Sequence, residues 1–258
     1  MFSTLKIWKL TGLLLLMNVT VFIIETLNGV SIFSPTLKDL LIWGANYAPL
    51  TLTGDAWRLL TSMFLHVGLI HLAVNCWALY IWGVYAEFYY GRRYYLALYL
   101  SAGLMGSVLS VVHNLINMNY AHDGNASLVI SAGASGAIMG LGGALIVAAW
   151  RPRADLRPEQ TLRLKPLLVI MAINFALGFS ISGIDNAAHI GGVITGALLA
   201  LVFSLTEKST DSQRKILRVI TFVVLAIGVI LLFQQLEKLG AGFQPYRAEI
   251  LSQLSTHL

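Results

Sequence analysis

Ser135 in Gly133-Ala134-Ser135-Gly136 and His189 in Ala188-His189-Ile190-Gly191-Gly192 each open an apolar stretch of the chain. A serine hydroxyl is a weak nucleophile at its own pKa and needs a base; histidine most often fills that role. Ser135 lies at the N-terminal end of its stretch, where free backbone N–H groups and the positive end of a helix can stabilise a developing oxyanion. These are the parts of an acyl-transfer site. In a chain that is 57% hydrophobic and 11% charged, they point to peptide-bond hydrolysis inside a membrane. Gly-x-Ser-Gly alone is a weak signal, because Ser and Gly are also common where membrane helices pack closely.

Other polar residues interrupt the apolar stretches, where they are costly and functional by default. His66, His71 and Asn75 follow the order His-x4-His-x3-Asn on the expected second helix. His71 and Asn75 are i and i+4 and share one face, which favours a functional reading of that pair. His66 would sit about 140° around the axis, and for it a structural role, tying helices together by hydrogen bonds, is favoured. The acids, such as Glu25, Asp55, Glu87 and Asp185, fall in loops or near the ends of the apolar stretches. No proton relay is visible at mid-depth, which argues against a transporter or channel.

The elements that must position these groups are apolar windows of about 20 residues, the length that crosses a hydrocarbon core. Seven occur, at about 10–27, 59–84, 95–116, 134–150, 167–184, 187–205 and 219–236. Each is expected to be helical, because a span must satisfy its backbone groups internally and none shows the alternation of barrel strands. The fold expected is an all-α polytopic membrane helix bundle. Gly136-x3-Gly140 and Gly192-x3-Gly196 are small-x3-small seams that bring the serine and histidine helices together. With the N-terminus in the cytoplasm, 13 of the 17 Lys and Arg residues lie on the cytoplasmic side and Lys38, Arg58, Lys238 and Arg247 lie outside, as the positive-inside rule requires. The net charge of +5 therefore reflects topology, and nucleic-acid binding is not needed to explain it. Cationic loops such as 151–165 can attract anionic lipid head groups.

The first window contains Asn18 and Thr20 and lacks a small-residue cleavage site, so it is expected to stay as an anchor. Cys76 is the single cysteine, which excludes an internal disulfide and a cysteine-based metal site. The outer connection 28–58, with Trp43, Pro49 and Trp57-Arg58, is long enough to have structure or function of its own and suits partial insertion at the membrane interface. Asn125-Ala126-Ser127, in the polar stretch 117–127, is formally a glycosylation acceptor and weak evidence of one. The tail 237–258 is too short for a domain.

With these residues in view, the sequence resembles the rhomboid family of intramembrane serine proteases. The resemblance rests on Trp57-Arg58, His66-x4-His71-x3-Asn75, Gly133-x-Ser135-Gly136 and Ala188-His189-x2-Gly192-x3-Gly196, in the family order over most of the chain. It implies one rhomboid-like membrane domain over 1–258, with a six-helix core at about 10–205, a seventh helix at about 219–236 and a short outer tail. It also implies a dyad in which Ser135 attacks the scissile carbonyl and His189 acts as general base and then acid. The backbone N–H of Ser135 and the side chains of His71 and Asn75 would form the oxyanion hole. His66, Trp57, Arg58, Gly133, Gly136, Gly192 and Gly196 would support the site structurally.

At one position the chain departs from a common family pattern: Met139 stands where several members have a tyrosine beneath the histidine, and a thioether cannot stack like a phenol ring. Asp185, four residues before His189, could complete a triad, but an Asp ahead of an apolar run is more simply a helix N-cap. No metal, nucleotide or organic cofactor is implied, since the chain has no His-Glu-x2-His, Walker loop or dinucleotide fingerprint. The expected partners are single-span transmembrane substrates and membrane lipids, and the expected location is a bacterial inner membrane with the N-terminus cytoplasmic and the C-terminus outside. A relative that has lost activity and only binds membrane clients is the alternative; the joint presence of serine, histidine and oxyanion candidates argues against it.

Overall fold

The computed structural model describes residues 9–120, 128–153, 155–181 and 183–255. In chain order its helices are α1 (Lys9–Leu27), α2 (Leu37–Trp43), α3 (Ala48–Thr51), α4 (Arg58–Thr61), α5 (Leu69–Tyr90), α6 (Arg92–Tyr120), α7 (Ser135–Trp150), α8 (Leu164–Ser180), α9 (Asn186–Thr206), α10 (Asp211–Leu239) and α11 (Gln244–Ser255). Among the described residues there is no strand, and one isolated β-bridge pairs Asn46 with Ser131. Helices α1, α5, α6, α9 and α10 are long and apolar enough to cross a membrane, and α7 and α8 are shorter apolar helices. The chain is an all-α, multi-pass membrane protein. The Asn125-Ala126-Ser127 triplet lies outside the described residues.

Helix α7 is the axis of the bundle, packed by α5, α6, α8 and α9. Its composition explains the place: Gly136 to Leu145 is buried without interruption and contains four glycines. At 16 residues it is about 24 Å long, short of a hydrocarbon core of about 30 Å, so a helix buried in the middle of the bundle need not reach both surfaces. The glycine seams meet as the sequence predicts. A Cβ at Gly192 would collide with the carbonyl of Gly136, and one at Gly196 with the carbonyl of Gly140. A second close approach, between α6 and α9, places Gly106 against the Ala188 carbonyl and Gly191 against Met105 and Gly106.

The second window does not run as one helix from position 59. Leu59, Leu60, Met63 and Phe64 belong to α4 and a 3-10 turn at Ser62–Phe64, and α5 begins at Leu69, after Gly68 at φ +87°. A side chain at Gly68 would strike the Phe33 carbonyl, so a positive φ and a close backbone approach coincide there. His66 therefore precedes the helix, and the 140° separation expected on a helical wheel does not apply to it.

The connection between α1 and α5 has structure of its own. Thr36 and Asp39 form a capping box at the start of α2. Arg58 is buried: its Nε bonds to Asp55 at 3.0 Å and its Nη1 donates to the carbonyls of Leu41 and Ala45 at 2.6 and 3.2 Å. The Trp57 ring lies beside this guanidinium, 4.6 Å from it, and against Gly44. The chain end folds back onto the same loop. Phe243 is buried in a cluster with Ala48, Leu52, Leu59, Phe233 and Leu236, and Arg247 on α11 bonds to Asp55 at 2.9 Å. Burial alone would raise the Asp55 carboxyl, but hydrogen bonds from Arg247 and Arg58 outweigh it and hold the group below its usual range.

At the opposite end of the bundle, arginines cap helix C-termini, whose last carbonyls lack intrahelical partners. Arg153 donates to the Tyr89 carbonyl at 2.7 Å, Arg218 to that of Phe203 at 3.2 Å, and Arg214 to that of Glu207, the C-cap of α9, at 3.4 Å. Within α1, the amides of Leu10 and Thr11 are met by the buried carboxylate of Glu87 on α5, at 3.2 and 2.9 Å.

Candidate active site

Ser135 is the first residue of α7, and its Oγ lies 2.8 Å from His189 Nε2. The two residues are 54 positions apart. The α7–α9 glycine seam brings them together, since it lets the two helix starts approach backbone to backbone. His189 occupies the first turn of α9, whose N-cap is Asp185. The Asp185 Oδ1 accepts the Ala188 N–H at 3.0 Å, which is the capping geometry. Among the described residues, neither Asp185 Oδ2 nor His189 Nδ1 has a hydrogen-bond partner, although both are buried. The carboxylate is thus a cap and makes no bond to the imidazole.

His71 comes to the serine from α5. A Cβ built on Gly133 would stand 3.1 Å from His71 Nε2 and 3.7 Å from Ser135 Oγ. The positive φ of Gly133, +136°, and the lack of room for a side chain explain the glycine two residues before the serine. His71 Nδ1 accepts the Val67 N–H at 3.1 Å. A backbone amide can only donate, so Nδ1 carries no proton and the ring is neutral with its hydrogen on Nε2. That N–H is on the side of Gly133 and Ser135.

Asn75, one turn further along α5, is buried and donates one amide hydrogen to the His71 carbonyl at 2.9 Å. Its second amide hydrogen remains for another acceptor. His66 is buried, shares a hydrogen with the Phe64 carbonyl through Nδ1 at 3.2 Å, and places its ring 5.4 Å from that of His71. It therefore packs behind His71. Met139 is buried in the main core cluster one turn below Ser135.

The segment that leads into Ser135 is held by groups that sequence spacing does not single out. Asn46 and Ser131 exchange two backbone hydrogen bonds, at 2.9 and 2.8 Å, and the Gly133 N–H donates to the Ser62 carbonyl at 2.8 Å. The Asn46 side chain is fixed in turn by Ser107 and Thr51. Apart from the Asn46–Thr51 bond, these contacts join residues far apart in the chain and leave no local pattern. The small residues Ala102, Gly106 and Ser110 of α6, by contrast, are a readable small-x3-small row.

Trp57 and Arg58 are not at the serine; they stabilise the connection between α1 and α5. The arrangement offers an aligned nucleophile and base, a helix N-terminus, and the His71 donor beside the segment that leads into the serine, with Asn75 one turn further along α5.

Comparison with known proteins identifies the family. A family model described as a rhomboid domain matches residues 53–206. The chain is 36% identical over 219 residues to "Rhomboid protease GluP" of Bacillus subtilis, a match that covers 84% of this chain but only 39% of that protein. It is 33% identical over 206 residues to "Rhomboid protease AarA" of Providencia stuartii, covering 76% of this chain and 73% of that protein. A plant relative, "RHOMBOID-like protein 6, mitochondrial" of Arabidopsis thaliana, is 34% identical over 158 residues, 60% of this chain and 46% of that protein. From the helix order, the central glycine-rich helix and these matches, the conclusion is that the chain belongs to the rhomboid family.

Proposed function

We propose that the chain is an intramembrane serine endopeptidase that cleaves transmembrane segments of single-span membrane proteins near the extracytoplasmic face. The observation that carries this reading is the 2.8 Å contact between Ser135 Oγ and His189 Nε2, within the range of an activated nucleophile and its base. The names of the bacterial relatives, both rhomboid proteases, support it.

In this mechanism the Ser135 hydroxyl donates to Nε2, so the neutral His189 ring carries its hydrogen on Nδ1. Oγ attacks the scissile carbonyl as Nε2 takes the proton, and the imidazolium then protonates the leaving amine. Charge that develops on the carbonyl oxygen meets the Ser135 N–H at the start of α7, the Nε2–H of His71 and the second amide hydrogen of Asn75. Water attacks the acyl-enzyme with His189 again as base. The Asp185 cap and the absence of an Asp185–His189 bond favour a dyad over a triad. A substrate helix must unwind before cleavage, because its own hydrogen bonds shield its peptide bonds, and helix-weakening residues such as Gly would make this easier.

The domain is read as a six-helix core at about 10–205 with α10 and the tail appended. The N-terminus is placed in the cytoplasm and the C-terminus outside, in a bacterial inner membrane, with lipids around the bundle. Purified protein incubated with a tagged single-span substrate tests the reading. Cleavage lost in Ser135→Ala supports it, and binding without cleavage by the wild type would instead favour an inactive, client-binding relative.

A further inference from the structure

The C-terminal helix is tied to the segment that carries the serine through a continuous set of bonds. Arg247 Nη2 bonds Asp55 Oδ1 at 2.9 Å, while its Nη1 reaches the Leu50 carbonyl and Thr53 Oγ1, both at 3.3 Å. The other Asp55 oxygen takes Arg58 Nε at 3.0 Å. Arg58 Nη1 grips the carbonyls of Leu41 and Ala45, and the next residue, Asn46, exchanges two backbone bonds with Ser131, four residues before Ser135.

A simpler account is that α11 only covers the apolar underside of the loop, as burial of Phe243 and the contact of Gly240 with Leu52 suggest. Cover alone does not need Arg247 to share a carboxylate with a buried arginine. A buried guanidinium depends on its counter-charge, and here one carboxylate serves both arginines. Loss of Arg247 leaves Asp55 held on one side only and frees the turn 41–46 to shift against Ser131.

We infer that Arg247 is a positioning residue: through Asp55 and Arg58 it fixes the outer-loop turn that aligns the 131–135 segment and hence the Ser135 nucleophile. The geometric part stands apart from the proposed serine chemistry; only its effect on rate rests on that reading.

The test uses the full chain in detergent micelles. Hydrogen exchange is followed in segments 41–46, 128–134 and 244–255, together with the rate at which a small fluorophosphonate labels Ser135 per folded molecule. Arg247→Ala should raise exchange in all three segments by roughly fivefold or more, the size expected for a partly buried charged hydrogen bond, and should slow labelling several-fold. Arg247→Glu, which repels Asp55, should do more. Arg247→Lys keeps a charge without the planar fork and should fall between. Lys38→Ala removes only an exposed contact to the Gln253 carbonyl and should match the wild type. Release of 244–255 in Arg247→Glu with unchanged exchange at 128–134, or with an unchanged labelling rate, overturns the inference. A wild type that is never labelled would sink the serine chemistry instead, and the exchange at 128–134 would then decide the positional claim by itself.

Discussion

His71 accepts the Val67 main-chain N–H through Nδ1 at 3.1 Å, and this one bond leaves the hydrogen of its neutral ring on Nε2, beside Gly133 and the serine. The donor role proposed for His71 therefore follows from a loop amide two residues before the helix that carries the ring. Asn75, on the same helix face, anchors itself to the His71 carbonyl at 2.9 Å. Both side chains are held in place before any substrate arrives, which is what electrostatic stabilisation of a transition state requires.

The oxyanion role predicts a rate effect with little change in binding. Asn75→Ala should lower kcat by roughly 10- to 1000-fold with a small change in KM, the scale of losing one such donor, and His71→Ala should behave similarly. Steady-state cleavage of a tagged transmembrane substrate measures both parameters. Reduced thermal stability with an unchanged rate for the folded fraction would reassign the two residues as structural.

Asp185 separates a dyad from a triad. An asparagine caps a helix about as well as an aspartate, so Asp185→Asn should leave kcat within about threefold of wild type, whereas removal of a triad carboxylate's charge costs about 10,000-fold. Asp185→Ala should lower stability by about 1 kcal/mol without a matching loss of rate in the folded protein. A collapse of kcat in Asp185→Asn would establish the carboxylate as part of the catalytic machinery.

The α7–α9 seam predicts where small side chains are indispensable. Gly192→Ala and Gly196→Ala would each drive a methyl group into a facing carbonyl and should destabilise the protein by about 1–3 kcal/mol or more, as overpacking does. Gly12→Ala and Gly228→Ala meet open space and should be neutral or slightly stabilising, because alanine favours helix. Thermal unfolding in detergent compares the four. Wild-type melting of Gly196→Ala would contradict the backbone-to-backbone approach.

Much of this arrangement is legible in the sequence, because a membrane imposes long apolar runs and close helix packing imposes glycines at fixed spacing. Ser135, His189 and the two glycine seams carry such signals. The start of α5 does not: Leu59 to Leu65 are as apolar as a span, yet they fold into short turns whose Leu59, Met63 and Leu65 are buried against the protein, and hydropathy cannot distinguish packing against protein from contact with lipid. His66 is misplaced on a helical wheel for the same reason. The tail is opaque because what ties it down lies far back in the chain, Leu52 and Leu59 for Phe243 and Asp55 for Arg247; Arg247 and Asp55 are 192 apart.

Topology and depth are open to chemical labelling. Ser135 and His189 lie in the first turns of α7 and α9, so a cysteine at either position in a Cys76→Ser background should react with a small membrane-impermeant thiol reagent from the extracytoplasmic side. A cysteine at position 150, at the far end of α7, should react from the cytoplasm only. Reaction of position 135 from the cytoplasm alone would reverse the proposed orientation.

The pairing of Ser135 with His189 is tested most directly by comparing cleavage of a transmembrane substrate, and fluorophosphonate labelling, in wild type, Ser135→Ala, His189→Ala and the double variant. Because the two groups act as a unit, each single variant should lose cleavage while remaining folded, the double variant should be no worse than either, and only the wild type should be labelled at full rate. Substantial turnover by Ser135→Ala would contradict the mechanism.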